Sequence, residues 1–282
     1  YKIVKAAIGL GIEKVRITGG EPLVRKDLPL LIRKLRAIDG LKEICLTTNG
    51  IYLSEYAADL KSAGLDRINV SLDSLISSRF QEITRGGSLD AVLKGIDAAL
   101  AAGLSALKIN VVLLKDFNSD EVLDFASLTK TKPLQVRFIE YMPTATNYFS
   151  YDKSFFSAQT AKTICSSLGE LAPVDSRKIE AARIFRIKGF WGTVGFISPI
   201  SQPFCASCNK LRLTSDGRLR VCLHSAKTVN LREAVEVSEE KIASLIREAV
   251  FLKPHSHNLT EKDNLDEFGF ETDNFSMCQI GG

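Results

Sequence analysis

The chain has 282 residues and a mass of 31.0 kDa, with 45% apolar residues, 25% charged residues and a net charge of +4. That balance provides a sizeable core and excludes wholesale disorder and fibrous repeats. No apolar run reaches the roughly 18 residues of a bilayer-spanning helix, and the small basic excess is not the concentrated basic face of a nucleic-acid binder.

The chain opens on Tyr1 rather than Met, so its true start is expected upstream. Ile3, Val4, Ala7 and Ile8 then fall at helical spacing. Up to about residue 140 one unit repeats, a short β-branched run, a polar or glycine turn and a helix-period stretch. The runs Lys14–Thr18, Glu43–Thr47, Arg67–Ser71, Lys108–Leu113 and Gln135–Ile139 read as strands. Leu28–Ile38, Leu53–Ala63, Leu89–Ala102 and Asp120–Leu128 read as helices, with Gly64 and Gly103 placed to cap two of them at positive φ. Alternation of this kind predicts right-handed βαβ units on a parallel sheet, an α/β fold.

Four of the five strands run straight into residues that a binding site uses. They are Thr18-Gly19-Gly20-Glu21-Pro22, Thr47-Thr48-Asn49-Gly50, Ser71-Leu72-Asp73-Ser74 and Glu140-Tyr141-Met142-Pro143. An open sheet concentrates ligand groups at one switch point, whereas a (β/α) barrel gathers all strand ends at one mouth. The spread over four strands favours a barrel or partial barrel over residues 1–144. After it come an aromatic segment, a helix at Ala158–Leu168, short strands at Arg183–Ile187, Thr193–Ile197, Leu211–Thr214 and Leu219–Cys222, and a helix at Ser238–Leu252. These predict a smaller α+β lobe over residues 145–282, with a polar tail ending in Gly281-Gly282.

Three of the six cysteines fall within eighteen residues, Cys205-Ala-Ser-Cys208 and, after thirteen more, Cys222. A Cys-x2-Cys turn plus a third thiol on a strand forms one face of a metal site. With His224 it makes a Cys3His zinc site, which spacing alone puts ahead. A three-cysteine iron–sulfur cluster with one open iron is the rival. Lys210 and Arg212 alternate on one side of the neighbouring strand, and Arg16, Lys108 and Arg137 place cations inside predicted strands, where charge is costly unless paired. An anionic ligand explains them, as does internal pairing with Glu21, Asp73 or Glu140. None of the three histidines lies in the first half, so Ser71 has no base there to make it a nucleophile. Cys45 and Cys165 read as packing residues.

The motifs Ile17-Thr-Gly-Gly-Glu-Pro-Leu23, Leu46-Thr-Thr-Asn-Gly50, Val70-Ser-Leu-Asp73, Arg137-Phe-Ile-Glu-Tyr-Met-Pro143 and Phe204-Cys-x2-Cys-Asn-Lys-Leu-Arg-Leu-Thr214, with Cys222 and the closing Gly-Gly, occur in this order. Over essentially the whole chain they resemble the GTP 3′,8-cyclase family of radical S-adenosylmethionine (SAM) enzymes. The resemblance implies a partial (βα)6 TIM-like barrel, here lacking its first strand, and a C-terminal lobe. It implies cyclisation of GTP to 3′,8-cyclo-7,8-dihydro-GTP, the first step of molybdenum cofactor biosynthesis, with SAM as cofactor. Gly20, Glu21, Ser71 and Met142 are then expected at SAM, and Arg16, Thr47, Lys108, Lys210 and Arg212 at GTP. Cys205, Cys208 and Cys222 are expected to hold a 4Fe–4S cluster, which reverses the preference for zinc, and Gly281 and Gly282 to act in the active site.

A second 4Fe–4S cluster is expected on a Cys-x3-Cys-x2-Cys segment ahead of Tyr1, without which SAM cleavage is not expected. Lys210 stands where the family commonly has Arg, and His224 where an apolar aromatic is usual. The implied partners are an electron donor and the downstream cyclic pyranopterin monophosphate synthase, with a homodimer as one assembly and neither nucleic acid nor membrane. The expected setting is reducing and low in oxygen, the cytoplasm of a bacterium or the mitochondrion of a eukaryote. Two other readings remain at this point, a zinc-stabilised nucleotide-binding relative without catalysis and a radical SAM maturase acting on a peptide.

Overall fold

The computed structural model describes residues 1–142, 149–174, 181–225 and 227–256. The repeating unit takes the predicted form. Helix α1 (Lys2–Gly9) leads into β1 (Lys14–Ile17), followed by α2 (Leu28–Arg36), β2 (Glu43–Thr48), α3 (Leu53–Ser62), β3 (Arg67–Ser71), α4 (Ser77–Thr84), α5 (Leu89–Ala101), β4 (Leu107–Leu113), α6 (Val122–Thr131) and β5 (Gln135–Glu140). Gly64 and Gly103 sit just past α3 and α5 with φ of +96° and +79°, the left-handed conformation that ends a helix at low cost. Ser88 caps α5 by accepting from the Ala91 amide at 3.3 Å.

Sequence periodicity missed α4, which buries a single apolar side chain, Phe80, and so carries no apolar stripe. Elsewhere boundaries shift by a few residues, as between the predicted Asp120–Leu128 and the observed α6, which follows a 3-10 turn at Ser119–Glu121.

Later elements are α7 (Tyr151–Ser154), α8 (Ala158–Cys165), β6 (Leu171–Pro173), β7 (Arg183–Ile187), β8 (Thr193–Ile197), β9 (Arg212–Leu213), β10 (Arg218–Arg220), β11 (Thr228–Asn230), α9 (Ala234–Val237) and α10 (Glu239–Phe251). The large sheet has the order β1-β2-β3-β4-β5-β8-β7-β6. Strands β1 to β5 and β8 run parallel, and β7 and β6 add antiparallel partners at one edge. Three strands from beyond residue 144 thus extend the first sheet. Among the described residues, only β9 to β11 form a separate, antiparallel sheet.

Two cores follow from this layout. The larger lies between one face of the big sheet and its helices, with Leu46, Ile68, Ile109, Phe138 and Phe196 closed off from solvent. The smaller packs Leu219, Val221 and Leu231 against Ala234, Ile242, Ile246 and Ala249, and it takes in Ala6 of α1. Ile3, Ala7 and Leu10 join that smaller core, while Val4 and Ile8 pack against the larger one. Helix α1 therefore bridges the two. Among the described residues no helix is long and apolar enough to cross a membrane.

Candidate active site

Side chains alternate across a strand, so each strand shows one row to the helices and one to the opposite face. In β4, Leu107, Ile109, Val111 and Leu113 are buried, and Lys108, Asn110 and Val112 between them are half-buried. The parallel register carries that alternation across the sheet. One row reads Thr47, Asn69, Lys108, Gln135 and Thr193. The next reads Ser71, Asn110, Arg137 and Gly195. One face of the sheet is thus apolar under its helices, and the other carries most of the polar residues singled out from the sequence.

Arg16 lies on this polar face and donates from Nη1 to Thr47 Oγ1 at 3.2 Å. Arg137 is buried and its Nε donates to Gln135 Oε1 at 2.6 Å. Gly195 lies opposite Arg137 on β8, where a Cβ would make ordinary contact with Arg137 Cγ at 3.4 Å. Asn110, between Ser71 and Arg137, buries its Oδ1 without a hydrogen-bond partner. A buried acceptor left open costs about 1–3 kcal/mol, so it points to a donor brought by a ligand.

The hairpin β9–β10 brings the second group of residues. Its register pairs Arg212 with Arg220 and Leu213 with Leu219. Continued past the last pair, it sets Lys210 against Cys222, with Cys208 two residues further along. Cys205 and Cys208 are joined by a tight turn in which the Cys208 amide donates to the Cys205 carbonyl at 3.0 Å. All three thiols are half-buried and free of disulfides. Lys210 Nζ stands 5.6 Å from the ring centre of Phe204, the residue before this turn, within cation–π range.

Electrostatics tie the hairpin to the sheet. Lys210 is exposed as a residue, yet surrounding protein desolvates its ammonium and lowers its pKa, against the attraction of Cys208. Arg212, Arg16 and Arg137 push in the same downward direction. The Arg212 pKa is likewise lowered, first by desolvation, then by Arg16 and Arg220, while Cys222 and Cys208 oppose it. Cations from β1, β5 and the hairpin therefore repel one another at one place beside two thiols. A cluster of like charges of this kind favours an anion bound beside it.

Three acidic residues at the strand ends are taken up by the fold. Glu21 accepts from the Leu23 amide at 2.9 Å, from Thr48 Oγ1 at 2.7 Å and from the Asn49 amide at 2.7 Å, tying the Gly-Gly turn to the end of β2. Asp73 Oδ1 accepts from the Val112 amide at 2.8 Å, and burial pushes its pKa up to about 6. Glu140 is fully buried and collects the amides of Ala158, Ile200 and Ser201 and the Ser201 hydroxyl. Burial pushes Glu43 upward, but Lys14 and Arg67 outweigh it and hold this carboxyl below its usual range.

Gly20 is exposed, and a Cβ placed on it would meet nothing within 4 Å, so a ligand has open access to this backbone. Ser71 is exposed at the carboxyl end of β3, and Met142 is half-buried two residues past the carboxyl end of β5, with β4 between the two strands. Gly281, Gly282 and Cys278 lie outside the described residues.

Three thiols, free and flanked by cations, are a donor set of the right chemistry for an iron–sulfur cluster. Among the described residues, however, no group of three or more His, Cys, Asp or Glu side chains is gathered tightly enough to hold a metal ion. The three thiols lie toward one end of the hairpin.

Residues 1–129 match the family model described as the Radical SAM superfamily, which gives the class, and residues 134–259 match that described as Molybdenum Cofactor Synthesis C. The structure of Streptococcus suis SuiB superposes with a TM-score of 0.60 at 15% identity, over 83% of this chain and 56% of that one. The same protein bound to S-adenosylmethionine gives 0.58 at 16% identity, over 83% and 55%. Both likenesses concern the fold. GTP 3′,8-cyclase of Alkaliphilus oremlandii is 45% identical over 280 residues, covering 99% of this chain and 85% of the relative. The enzyme of that name from Clostridium botulinum strain Okra is 42% identical over 282 residues, covering 100% and 85%. That from Moorella thermoacetica is 44% identical over 283 residues, covering 99% and 85%. The chain belongs to the GTP 3′,8-cyclase family.

Proposed function

We propose that this chain catalyses the radical SAM cyclisation of GTP to 3′,8-cyclo-7,8-dihydro-GTP, the first step of molybdenum cofactor biosynthesis. The observation that carries the reading is the convergence of Arg16, Arg137, Lys210 and Arg212 beside the cysteine hairpin. Arg16, Lys210 and Arg212 neutralise a triphosphate, with the guanidinium groups forking onto its oxygens and Lys210 acting as a point charge. Thr47 orients Arg16. Lys108, in the same polar row as Thr47, reaches GTP from the floor of the site.

Gly20, Ser71 and Met142, at the carboxyl ends of parallel strands, would hold SAM. Glu21 keeps lone-pair capacity beyond its three donors for the methionine amino group. With its 4Fe–4S cluster, bound SAM supplies the one-electron chemistry that opens the reaction. Cys205, Cys208 and Cys222 would hold a further 4Fe–4S cluster, and the ligands of the SAM cluster would belong to a Cys-x3-Cys-x2-Cys segment. Gly281 and Gly282 enter the active site from the tail.

The architecture fits a partial (βα)6 TIM-like barrel over residues 1–144 and a C-terminal lobe over residues 145–282. Five neighbouring parallel strands, β1 to β5, support the first, with β8 from beyond residue 144 adding a sixth to the same sheet, and the separate β9–β11 sheet with its own core supports the second. A reducing compartment, an electron donor, the downstream synthase and a homodimer complete the reading.

Anaerobic purification of the full-length protein with iron and acid-labile sulfide analysis, alongside GTP titration, tests it. Iron and sulfide that fall when Cys205, Cys208 and Cys222 are changed to Ser, together with GTP binding weakened in Arg212→Ala, are expected. One zinc with no labile sulfide overturns it.

A further inference from the structure

Lys253 lies two residues beyond α10 and outside every motif discussed above. Its ammonium donates to the Lys210 carbonyl at 2.8 Å and to the Val221 carbonyl at 2.7 Å. Those carbonyls belong to the two arms of the cysteine hairpin. Lys210 stands midway between Cys208 and Arg212, and Val221 immediately precedes Cys222. The paired register of the hairpin ends at Arg212 opposite Arg220, so the arms beyond that pair lack the ladder that would hold them together.

We propose that Lys253 is a positioning residue that clamps the open end of this hairpin, setting the separation of Cys208 and Cys222 and the placement of Lys210. The proposal rests on the assignment of the three cysteines to a cluster. A single ammonium has three donors, so it can bridge two carbonyls and keep one donor for water. Charge-assisted bonds of this kind are about twice as strong as neutral ones.

The clamp also has a firm base. Helix α10 is seated in the smaller core through Ile242, Ile246 and Ala249, is capped by Ser238 and is paired with α1 through Lys5 and Glu239 at 2.8 Å. Lys253 follows α10 at its C-terminus. It transmits the position of that helix to the backbone beside both thiols, the part played by the outer partners of metal ligands generally.

The test uses the full-length protein, reconstituted anaerobically, as wild type, Lys253→Met, Lys253→Arg and a variant with Cys205, Cys208 and Cys222 all changed to Ser. The iron and sulfide lost in the cysteine variant define the share held at these residues. Lys253→Met should weaken retention of that share against a chelator by roughly tenfold and alter its electron paramagnetic resonance signal, and Lys253→Arg, which keeps a multidonor cation, should restore both. In the cluster-free protein, amide hydrogen exchange should quicken around Cys208–Arg212 and Arg220–Cys222 while α10 keeps its protection.

Wild-type cluster retention and exchange in Lys253→Met overturn the clamp. Loss of α10 protection in that variant also overturns it, because Lys253 would then support the fold at large. If the cysteine variant loses no iron, the cluster assignment fails, and hydrogen exchange still decides whether the clamp exists.

Discussion

Replacing Glu140 with Gln is the sharpest probe of how the sheet holds the loop that leads to the cysteines. Glu140 is 0% exposed at the end of β5. Its Oε1 accepts from the Ala158 amide at 3.1 Å and from the Ser201 hydroxyl, and its Oε2 from the Ile200 and Ser201 amides at 3.2 and 2.9 Å. It thus joins three segments, β5, the first turn of α8 and the loop after β8.

Glutamine has the same shape but one oxygen. The tolerable orientation puts its NH2 toward Ala158 and Ser201, because the serine hydroxyl can turn to accept while the amides of residues 200 and 201 cannot. One buried amide then loses its acceptor and the remaining bonds lose their ionic character, together about 2 kcal/mol. Alanine abandons all the donors and opens a void, roughly 4 kcal/mol. For a chain of this size the glutamine cost corresponds to a Tm lower by roughly 3–4 °C. Differential scanning calorimetry of wild type, Glu140→Gln and Glu140→Ala measures the order. Equal losses in the two variants, or none in the glutamine variant, would refute an account based on hydrogen-bond count.

Other predictions concern charge and packing. Burial raises the Asp73 pKa from 3.8 to about 6, so the folded state prefers the neutral acid. The stability this contributes is complete below about pH 4 and is lost as pH rises through about 6, a loss of up to about 3 kcal/mol. Asp73→Asn, permanently neutral and still able to accept from Val112, should flatten the fall relative to wild type in melts from pH 4 to 8; superimposable profiles would contradict the burial argument. Arg212→Ala should weaken GTP by roughly 10–100-fold and lessen the salt dependence of binding, while leaving guanosine affinity unchanged in calorimetric titration. Gly95→Ala would set a methyl 2.7 Å from the Gly50 carbonyl oxygen and 2.9 Å from Leu53 Cβ. It should cost about 1–3 kcal/mol in urea melts with m unchanged.

The parallel sheet was legible because its strands are short, β-branched and punctuated by Gly, and each predicted run from β1 to β5 is found within one or two residues. The cations of the site were legible for a different reason, since Arg16, Lys108 and Arg137 break the apolar rule of a buried strand. Arg137 breaks the same rule, although the family resemblance does not number it among the ligand contacts. Asn110 carries no charge to mark it, and only strict alternation from Lys108 onward makes it a neighbour on the polar face. What stayed hidden depends on distance in space. The addition of β6 to β8 to the first sheet, the gathering of three segments on Glu140 and the reach of Lys253 to the hairpin join residues that no local pattern connects.

Helix α1 meets α10 through pairs such as Lys5 and Glu239, 234 residues apart in sequence. Contacts of such separation are made late, because a long loop must be closed before they return any stabilisation. On a ribosome releasing the chain from its N-terminus, the smaller core therefore has to wait for α10. Until then the hairpin that carries Cys205, Cys208 and Cys222 lacks the floor that supports it. The order of events is thereby set by connectivity: the large sheet can condense first, the two distant helices meet next, and only afterward are the three thiols held in a fixed relation to one another.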